Sequence, residues 1–164
     1  MEDITIILNK EPYGWDEDIR KLCRYIAGES KNKKEITRYR CGEGVSIEPE
    51  KAAQQMISVQ RLYKKARRRY GKKASRRIYH YVVSFPISMA DANCAKLAAK
   101  DIAEIFCGQY QVYYGVHEDK KNLHIHYAIN AVSCVDGKKW HKSKRELEEL
   151  EAQMRERARK VLYC

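Results

Sequence analysis

Two segments in the second half of the chain constrain the fold more than any other feature, because they should pair with each other. Residues 111–117 (QVYYGVH) and 123–131 (LHIHYAINA) are rich in the β-branched and aromatic residues that strands favour. Only the polar segment 118–122 (EDKKN) separates them. A connection this short joins antiparallel neighbours. We therefore expect the two segments to form a β-hairpin.

Three of the five histidines of the chain lie in this hairpin. His124 and His126 are two residues apart in a strand, so both side chains project from the same face. Pairing of His117 with His124 would set Gly115 opposite His126, bringing three imidazoles together with space above the glycine. Clustered neutral imidazoles suit a divalent metal, and three ligands leave coordination positions open for catalysis. The alternative is a set of histidines that bind nothing.

The remaining segments predict an α+β fold with a central, mainly antiparallel sheet of about five strands and helices packed on it. Strand-like and helix-like patterns mix without strict alternation, and no internal repeat or long linker is evident. Residues 1–164 should form one domain, which is either the whole protein or the amino-terminal part of a longer one. Predicted strands are 4–8, 35–40 and 78–85; predicted helices are 15–27, 48–69, 88–106 and a last one capped by Ser143.

The charge balance favours an anionic polymer as partner. There are 33 Lys and Arg residues against 22 Asp and Glu, and the formal net charge is +11. Each phosphate neutralised by such a surface releases counterions, which favours nucleic acid over the weaker alternative of an anionic membrane. The densest basic run is 64–77 (KKARRRYGKKASRR), which is either a solvated helix end or a DNA-contacting surface. The predicted DNA contacts are Lys64, Lys65, Arg67, Arg68, Arg69, Lys72, Lys73, Arg76 and Arg77, with Tyr63 and Tyr70 stacking on unpaired bases.

The sequence also indicates a cytoplasmic location. No apolar run is long enough to span a membrane, and the amino terminus lacks the pattern of a signal peptide. The six cysteines show neither a CxxC pair nor tight spacing. We therefore expect free thiols in a reducing compartment and no membrane association.

Several segments resemble the relaxases of mobilisable plasmids and integrative elements, which belong to the HUH endonuclease superfamily. They are RYIAGESK, RIYHYVVSF, GQYQVYYGVHEDKKNLHIHYAIN and AVSCVDGKKW, in the order of that family and over nearly the whole chain. The resemblance implies an HUH-type fold and a site- and strand-specific DNA nickase. It also implies single-stranded DNA at an origin of transfer as substrate, a relaxosome accessory protein as partner, and Mg²⁺ or Mn²⁺ as cofactor. Three imidazoles would also bind Zn²⁺ or Ni²⁺.

Relaxases cleave by transesterification, in which a tyrosine becomes joined to the new 5′ phosphate. The resemblance implies Tyr25 as that nucleophile, with Tyr13 and Tyr39 as runners-up among 12 tyrosines. Replication initiators of the same superfamily carry their tyrosine on a helix after the histidine pair, where this chain has Tyr163. A third alternative is an accessory module that binds DNA without cleaving it.

Four residues are candidates for orienting the imidazoles. Asp119 resembles the acidic residue that often follows the upstream histidine in the family, and Glu118 is its neighbour. Asn130 shares the strand face of the histidines. His80 either supports one of the metal ligands, contacts DNA or is simply a residue of the core. One departure stands out, since many relaxases read His-x-His-x-His in the second strand and Asn122 occupies the first of those positions.

Overall fold

The computed structural model describes residues 3–29, 37–65, 75–87, 91–118 and 121–163. These residues form five strands, four α-helices and a final 3₁₀ turn, Val161–Tyr163. The strands are β1 (Thr5–Leu8), β2 (Thr37–Glu43), β3 (Ile78–Ser84), β4 (Val112–His117) and β5 (His124–Asn130). The helices are α1 (Asp16–Ile26), α2 (Pro49–Leu62), α3 (Ala92–Ala103) and α4 (Lys144–Lys160).

All five strands join one sheet in the order β1-β3-β5-β4-β2, and every neighbouring pair is antiparallel. The predicted α+β fold with an antiparallel sheet is therefore confirmed. Strand β5 lies at the centre of the sheet, and each of its residues is buried. Side chains on β5 are thus held between two packed layers.

The two faces of the sheet have different partners. Ile125, Tyr127 and Ile129 of β5 belong to a core shared with α3 and α4. Ala128, on the opposite face, belongs to a second core shared with α1 and α2. Because side chains alternate along a strand, His124 and His126 lie on the α1 and α2 side.

Helix α1 is amphipathic and packs against the face that carries the histidines. Ile19, Leu22, Cys23 and Ile26 form its buried stripe at helical spacing. Gly28 follows in the left-handed region, with φ of 80°, which suits glycine after a helix end.

The ends of other helices differ from the sequence predictions. Helix α2 ends at Leu62 rather than at 69, and Lys64 follows with a left-handed φ of 57°. Helix α3 begins after Asp91, whose side chain accepts from the Cys94 amide, whereas the expected cap, Ser88, lies outside the described residues. The predicted capping box of Ser143 before α4 is confirmed.

Two further expectations concern cysteines and membranes. The five cysteines within the described part of the chain, residues 23, 41, 94, 107 and 134, are thiols that form no disulfide with one another. Among the described helices, none combines the length and apolar character that crossing a bilayer requires.

Candidate metal centre

The β4–β5 hairpin has the predicted register, with His117 opposite His124 and Gly115 opposite His126. The three imidazoles are at most 6% exposed, and their ring centroids are 4.4 to 5.4 Å apart. Each offers one ligand atom, and these three atoms lie within 4.8 Å of one another. Nitrogen atoms at this spacing can coordinate a single divalent ion.

Two of the three imidazoles are oriented by backbone carbonyl groups. His117 Nε2 lies 3.0 Å from the Ile26 carbonyl oxygen, and His124 Nδ1 lies 3.0 Å from that of Asn122. A carbonyl oxygen only accepts, so these nitrogens carry the proton, and Nδ1 of His117 and Nε2 of His124 are the nitrogens with a lone pair that a metal could use. Asn122 itself donates from its side chain to the Phe85 carbonyl oxygen at 3.0 Å. It therefore ties the β4–β5 turn to the end of β3.

The third imidazole is held by a chain of side chains. His126 Nδ1 lies 2.9 Å from His80 Nε2, and His80 Nδ1 lies 2.7 Å from the Tyr13 hydroxyl. Burial, together with the nearby His117, lowers the pKa of His80 to about 4, so this imidazole is neutral at pH 7. If His126 gives Nε2 to a metal, its Nδ1 donates to His80, and His80 donates in turn to Tyr13. The structure thus places His80 in contact with a metal-ligand candidate.

Tyr13 has a role at this site that the sequence did not indicate. Its backbone is in the left-handed region, with φ of 50°, which is uncommon for a residue with a side chain. Such a conformation costs about 1–3 kcal/mol and is retained where the surroundings require it. Here it accompanies the hydrogen bond to His80, 67 residues away in the chain.

Gly115 serves a purpose different from the one expected. A Cβ atom at this position would lie 2.5 Å from the Ile26 carbonyl oxygen, which is too close for any real contact. The missing side chain therefore does not leave space above the imidazoles. It lets the carboxyl-terminal end of α1 approach β4, so that the Ile26 carbonyl group reaches His117.

Tyr25 lies beside the histidines, in the last turn of α1. Its ring centroid is 5.2 Å from that of His117 and 5.0 Å from that of His126, and both contacts are edge-on. The side chain is 42% exposed although it touches two buried imidazoles. Tyr25 is therefore next to the candidate metal position and open to a ligand.

Two of the other three candidate tyrosines, Tyr39 and Tyr163, lie away from the histidines. Tyr39 packs with Tyr114 in the core on the α3 and α4 side of the sheet, away from the histidines. Tyr163 ends the 3₁₀ turn, which contacts α3 and α4 on that same side; its side chain is outside the described part of the structure. Tyr13 is closer to the site: its hydroxyl contacts His80, and it lines one cavity together with Tyr25 and His126.

Of the acidic and amide candidates for orienting the imidazoles, the structure describes Glu118 and Asn130. Glu118 directly follows His117 at the end of β4, and Asp119 is outside the described residues. Asn130 shares the strand face, but its amide hydrogen-bonds to Gln60 and Gln111, at 3.0 and 2.9 Å. It lies four residues beyond His126, or about 13 Å along the strand. Its place is in a buried polar network of the fold.

Arg77, predicted to contact DNA, is instead an internal residue. It is 4% exposed, and its guanidinium donates to Gln60 at 2.7 Å, to the Gly14 carbonyl oxygen at 3.2 Å and to Asp16 at 2.7 Å. A guanidinium group that is buried and occupied in this way cannot bind a phosphate without breaking the fold. The prediction for Arg77 is corrected accordingly.

The other predicted DNA contacts are only partly described. Lys64 and Lys65 are exposed just beyond α2, and Tyr63 is half-buried beside them. Arg76 is half-buried and donates to the Asn9 carbonyl oxygen at 3.0 Å, so it also supports the segment before α1. The remaining predicted contacts lie outside the described residues: Arg67, Arg68, Arg69, Tyr70, Lys72 and Lys73.

Comparison with known families identifies the class of protein that this fold and histidine cluster define. The family described as "Relaxase: MobA/VirD2-like, nuclease domain" matches residues 25–161. The match begins at Tyr25 and includes all three histidines of the hairpin. The chain belongs to this family of relaxase nuclease domains.

A solved structure supports the same fold. It is described as the molecular basis of vancomycin resistance transfer in Staphylococcus aureus, and it superposes with a TM-score of 0.70 at 13% identity. The alignment covers 99% of this chain and 93% of that one. A comparison with curated proteins found no match.

Proposed function

We propose that this domain is a metal-dependent nickase that cleaves one DNA strand at an origin of transfer, with Tyr25 as nucleophile. The observation that carries the proposal is the position of Tyr25, edge-on to His117 and His126 yet substantially exposed. A phosphate bound above the histidines would lie beside the phenol. The family to which the chain belongs supports DNA cleavage as the reaction.

In the proposed reaction, Tyr25 Oη attacks the phosphorus of one phosphodiester and the bond to the 3′ oxygen breaks. The phenol loses its proton, the 3′ oxygen gains one, and Tyr25 stays joined to the 5′ phosphate. The energy of the phosphodiester is kept in this link, so the strand can later be rejoined. Such a step suits mobilisation of a plasmid or integrative element in the cytoplasm.

His117, His124 and His126 would hold the divalent ion, which supplies Lewis acidity to the scissile phosphate. Mg²⁺ or Mn²⁺ is the proposed physiological ion, whereas imidazole ligands alone would favour Zn²⁺ or Ni²⁺ by affinity. His80 and Tyr13 fix the orientation of His126 through their hydrogen bonds. Oriented ligands matter because a misplaced imidazole weakens the bound ion.

Two other functions are less well supported. An initiator-type nickase would use Tyr163, but the 3₁₀ turn that contains it packs on the sheet face opposite the histidines. A DNA-binding accessory module would not need three buried imidazoles in reach of one ion. Both are distinguished from the proposal by a single experiment.

That experiment tests for a covalent protein–DNA link. Labelled single-stranded oligonucleotides that tile the transfer origin of the element are mixed with the protein and Mn²⁺, then separated by denaturing electrophoresis. We expect a slow-migrating band that the Tyr25→Phe variant does not form. Tyr110→Phe is the matched control, because Tyr110 packs with Trp140 in the other core and its loss should leave the band unchanged.

Each outcome has a definite meaning. A band that survives Tyr25→Phe contradicts the assignment of the nucleophile, and the Tyr13→Phe and Tyr163→Phe variants then locate the tyrosine. Binding to the origin strand without any band contradicts nicking and favours the accessory module.

A further inference from the structure

Two cavities meet at Tyr25. One, of about 650 Å³, lies against the segment that links β1 to α1, and the other, of about 400 Å³, lies towards the β4–β5 turn. Both are lined by Tyr25, Val82 and His126. A strand whose phosphate lies at Tyr25 would therefore have one cavity on each side of that phosphate.

The larger cavity has an aromatic wall that is open to solvent. Trp15 lines it and is 55% exposed, although large apolar side chains are usually better buried. The other tryptophan of the chain, Trp140, is only 4% exposed and stacks on Tyr79. Exposed aromatic rings are the surfaces on which unpaired bases stack.

The charges of this cavity suit a base better than a phosphate. Its lining includes the carboxylates of Glu11 and Asp18, with Lys21 as a cation. Two acids would repel a phosphate group, whereas they can accept hydrogen bonds from the edge of a base. The segment before α1, which lines the cavity, is joined to the start of β3 by hydrogen bonds from Arg76 to the Asn9 carbonyl oxygen and from Arg77 to that of Gly14.

We infer that the cavity beside Trp15 binds an unpaired base of the DNA strand, stacked on the indole, next to the phosphate that lies at Tyr25. Trp15 is then a residue that positions the substrate. The inference rests on the proposed function in one respect, namely that a single strand reaches the histidines. It does not require that the strand be cut.

Tryptophan fluorescence tests the inference directly, because Trp15 is the exposed one of only two tryptophans. The probes are a 12-nucleotide oligothymidine and an abasic oligomer of the same length, which carries the same phosphates without bases. Binding is followed independently by the anisotropy of a dye on each oligomer, in Mn²⁺ and low salt. At equal occupancy, we expect at least about twofold greater quenching by oligothymidine than by the abasic oligomer.

Three variants assign the signal. Trp15→Phe should lose the quenching, because the remaining Trp140 is buried, and should keep its affinity for oligothymidine. Trp15→Ala should weaken the affinity for oligothymidine about fivefold or more, as loss of one stacked base predicts. Its affinity for the abasic oligomer should be unchanged. Leu97→Ala is the control, since Leu97 is 62% exposed on α3, on the other side of the sheet.

The inference would be overturned if the two oligomers quenched the fluorescence equally. It would also be overturned if Trp15→Ala weakened the affinity for both oligomers equally. A failure of wild-type protein to bind oligothymidine would overturn it as well. The fluorescence assay is separate from the test of nicking. A covalent band without base-dependent quenching contradicts only the proposed base site. Base-dependent quenching without a covalent band at the origin contradicts only the proposed reaction.

Discussion

His117 Nε2 donates to the carbonyl oxygen of Ile26 at 3.0 Å, which joins a metal-ligand candidate to the helix that carries the candidate nucleophile. Ile26 directly follows Tyr25 in α1. One hydrogen bond therefore fixes the tautomer of His117 and the distance between the helix end and the hairpin. A change that moves α1 should disturb the metal ligands and Tyr25 together.

Gly115→Ala tests this connection. The added methyl group would lie 2.5 Å from the Ile26 carbonyl oxygen, so α1 must shift away from β4. We expect a loss of about 1–3 kcal/mol in the free energy of unfolding, as is usual for overpacking, together with a weaker covalent band. Urea unfolding and denaturing electrophoresis measure the two effects. Gly108→Asn is the control: the space around Gly108 is open, so its cost comes from the positive φ of 89° without overpacking, and its covalent band should be unchanged. Wild-type values for Gly115→Ala would show that the close approach is not needed.

His80→Phe tests the chain of bonds behind His126, because phenylalanine keeps a ring but has no hydrogen-bonding atom. His80 contacts His126 Nδ1 at 2.9 Å, and loss of such a partner typically weakens metal affinity about 10- to 100-fold. Tyr13→Phe removes only the next bond in the chain and should weaken metal affinity less than His80→Phe does. Titration calorimetry with Mn²⁺ measures both affinities, and circular dichroism verifies the fold. A larger effect for Tyr13→Phe, or none for His80→Phe, would contradict this role.

The hairpin and its histidines were predictable from sequence because every interaction involved is local. The spacing of His124 and His126 and the short turn determine the register, and the structure has that register. Alternation along the strand then places the three imidazoles on one face. No knowledge of the rest of the chain is needed for this step.

The surroundings of the site could not be predicted, because they depend on contacts between distant segments. The Tyr13–His80 bond spans 67 residues and the His117–Ile26 bond spans 91. Arg77 is buried and Lys65 is exposed, although both belong to the same basic run. The sequence of that run does not indicate which of its residues is buried. Arg77 is buried because Gln60, Gly14 and Asp16, which are distant in sequence, accept from its guanidinium.

Metal binding should stabilise the fold. An ion that binds only the folded protein adds about 2.7 kcal/mol at 100 times its dissociation constant, which raises Tm by about 5–10 °C for a domain of this size. We expect Mn²⁺ to produce such a rise and a chelator to reverse it. His124→Ala should abolish the rise, whereas His141→Ala, exposed and outside the cluster, should retain it. Equal rises in both variants would show that the ion binds elsewhere.

The ion pair of Asp16 with Arg77 should make stability depend on pH. Burial opposes ionisation of Asp16, but hydrogen bonds and charge from Arg77 and Arg61 prevail and lower its pKa below the ordinary 3.8. A carboxyl group whose pKa is lower in the folded state than in the unfolded state stabilises the fold at any pH above its unfolded pKa. That stabilisation is lost as the pH falls through the pKa of the folded state. Asp16→Asn should therefore cost about 1–2 kcal/mol at pH 7, discounted because Asp16 is 26% exposed.

The difference between wild type and Asp16→Asn should shrink as pH falls below about 4, because the wild-type carboxylate then becomes protonated. Urea unfolding at pH 7, 5 and 3 measures this change. Glu149→Gln is the matched control, because its pair with Arg145 is 64% and 88% exposed and should contribute less than about 0.5 kcal/mol at any pH. A cost for Asp16→Asn that stays constant down to pH 3 would assign its effect to packing at the start of α1 and not to the charge facing Arg77.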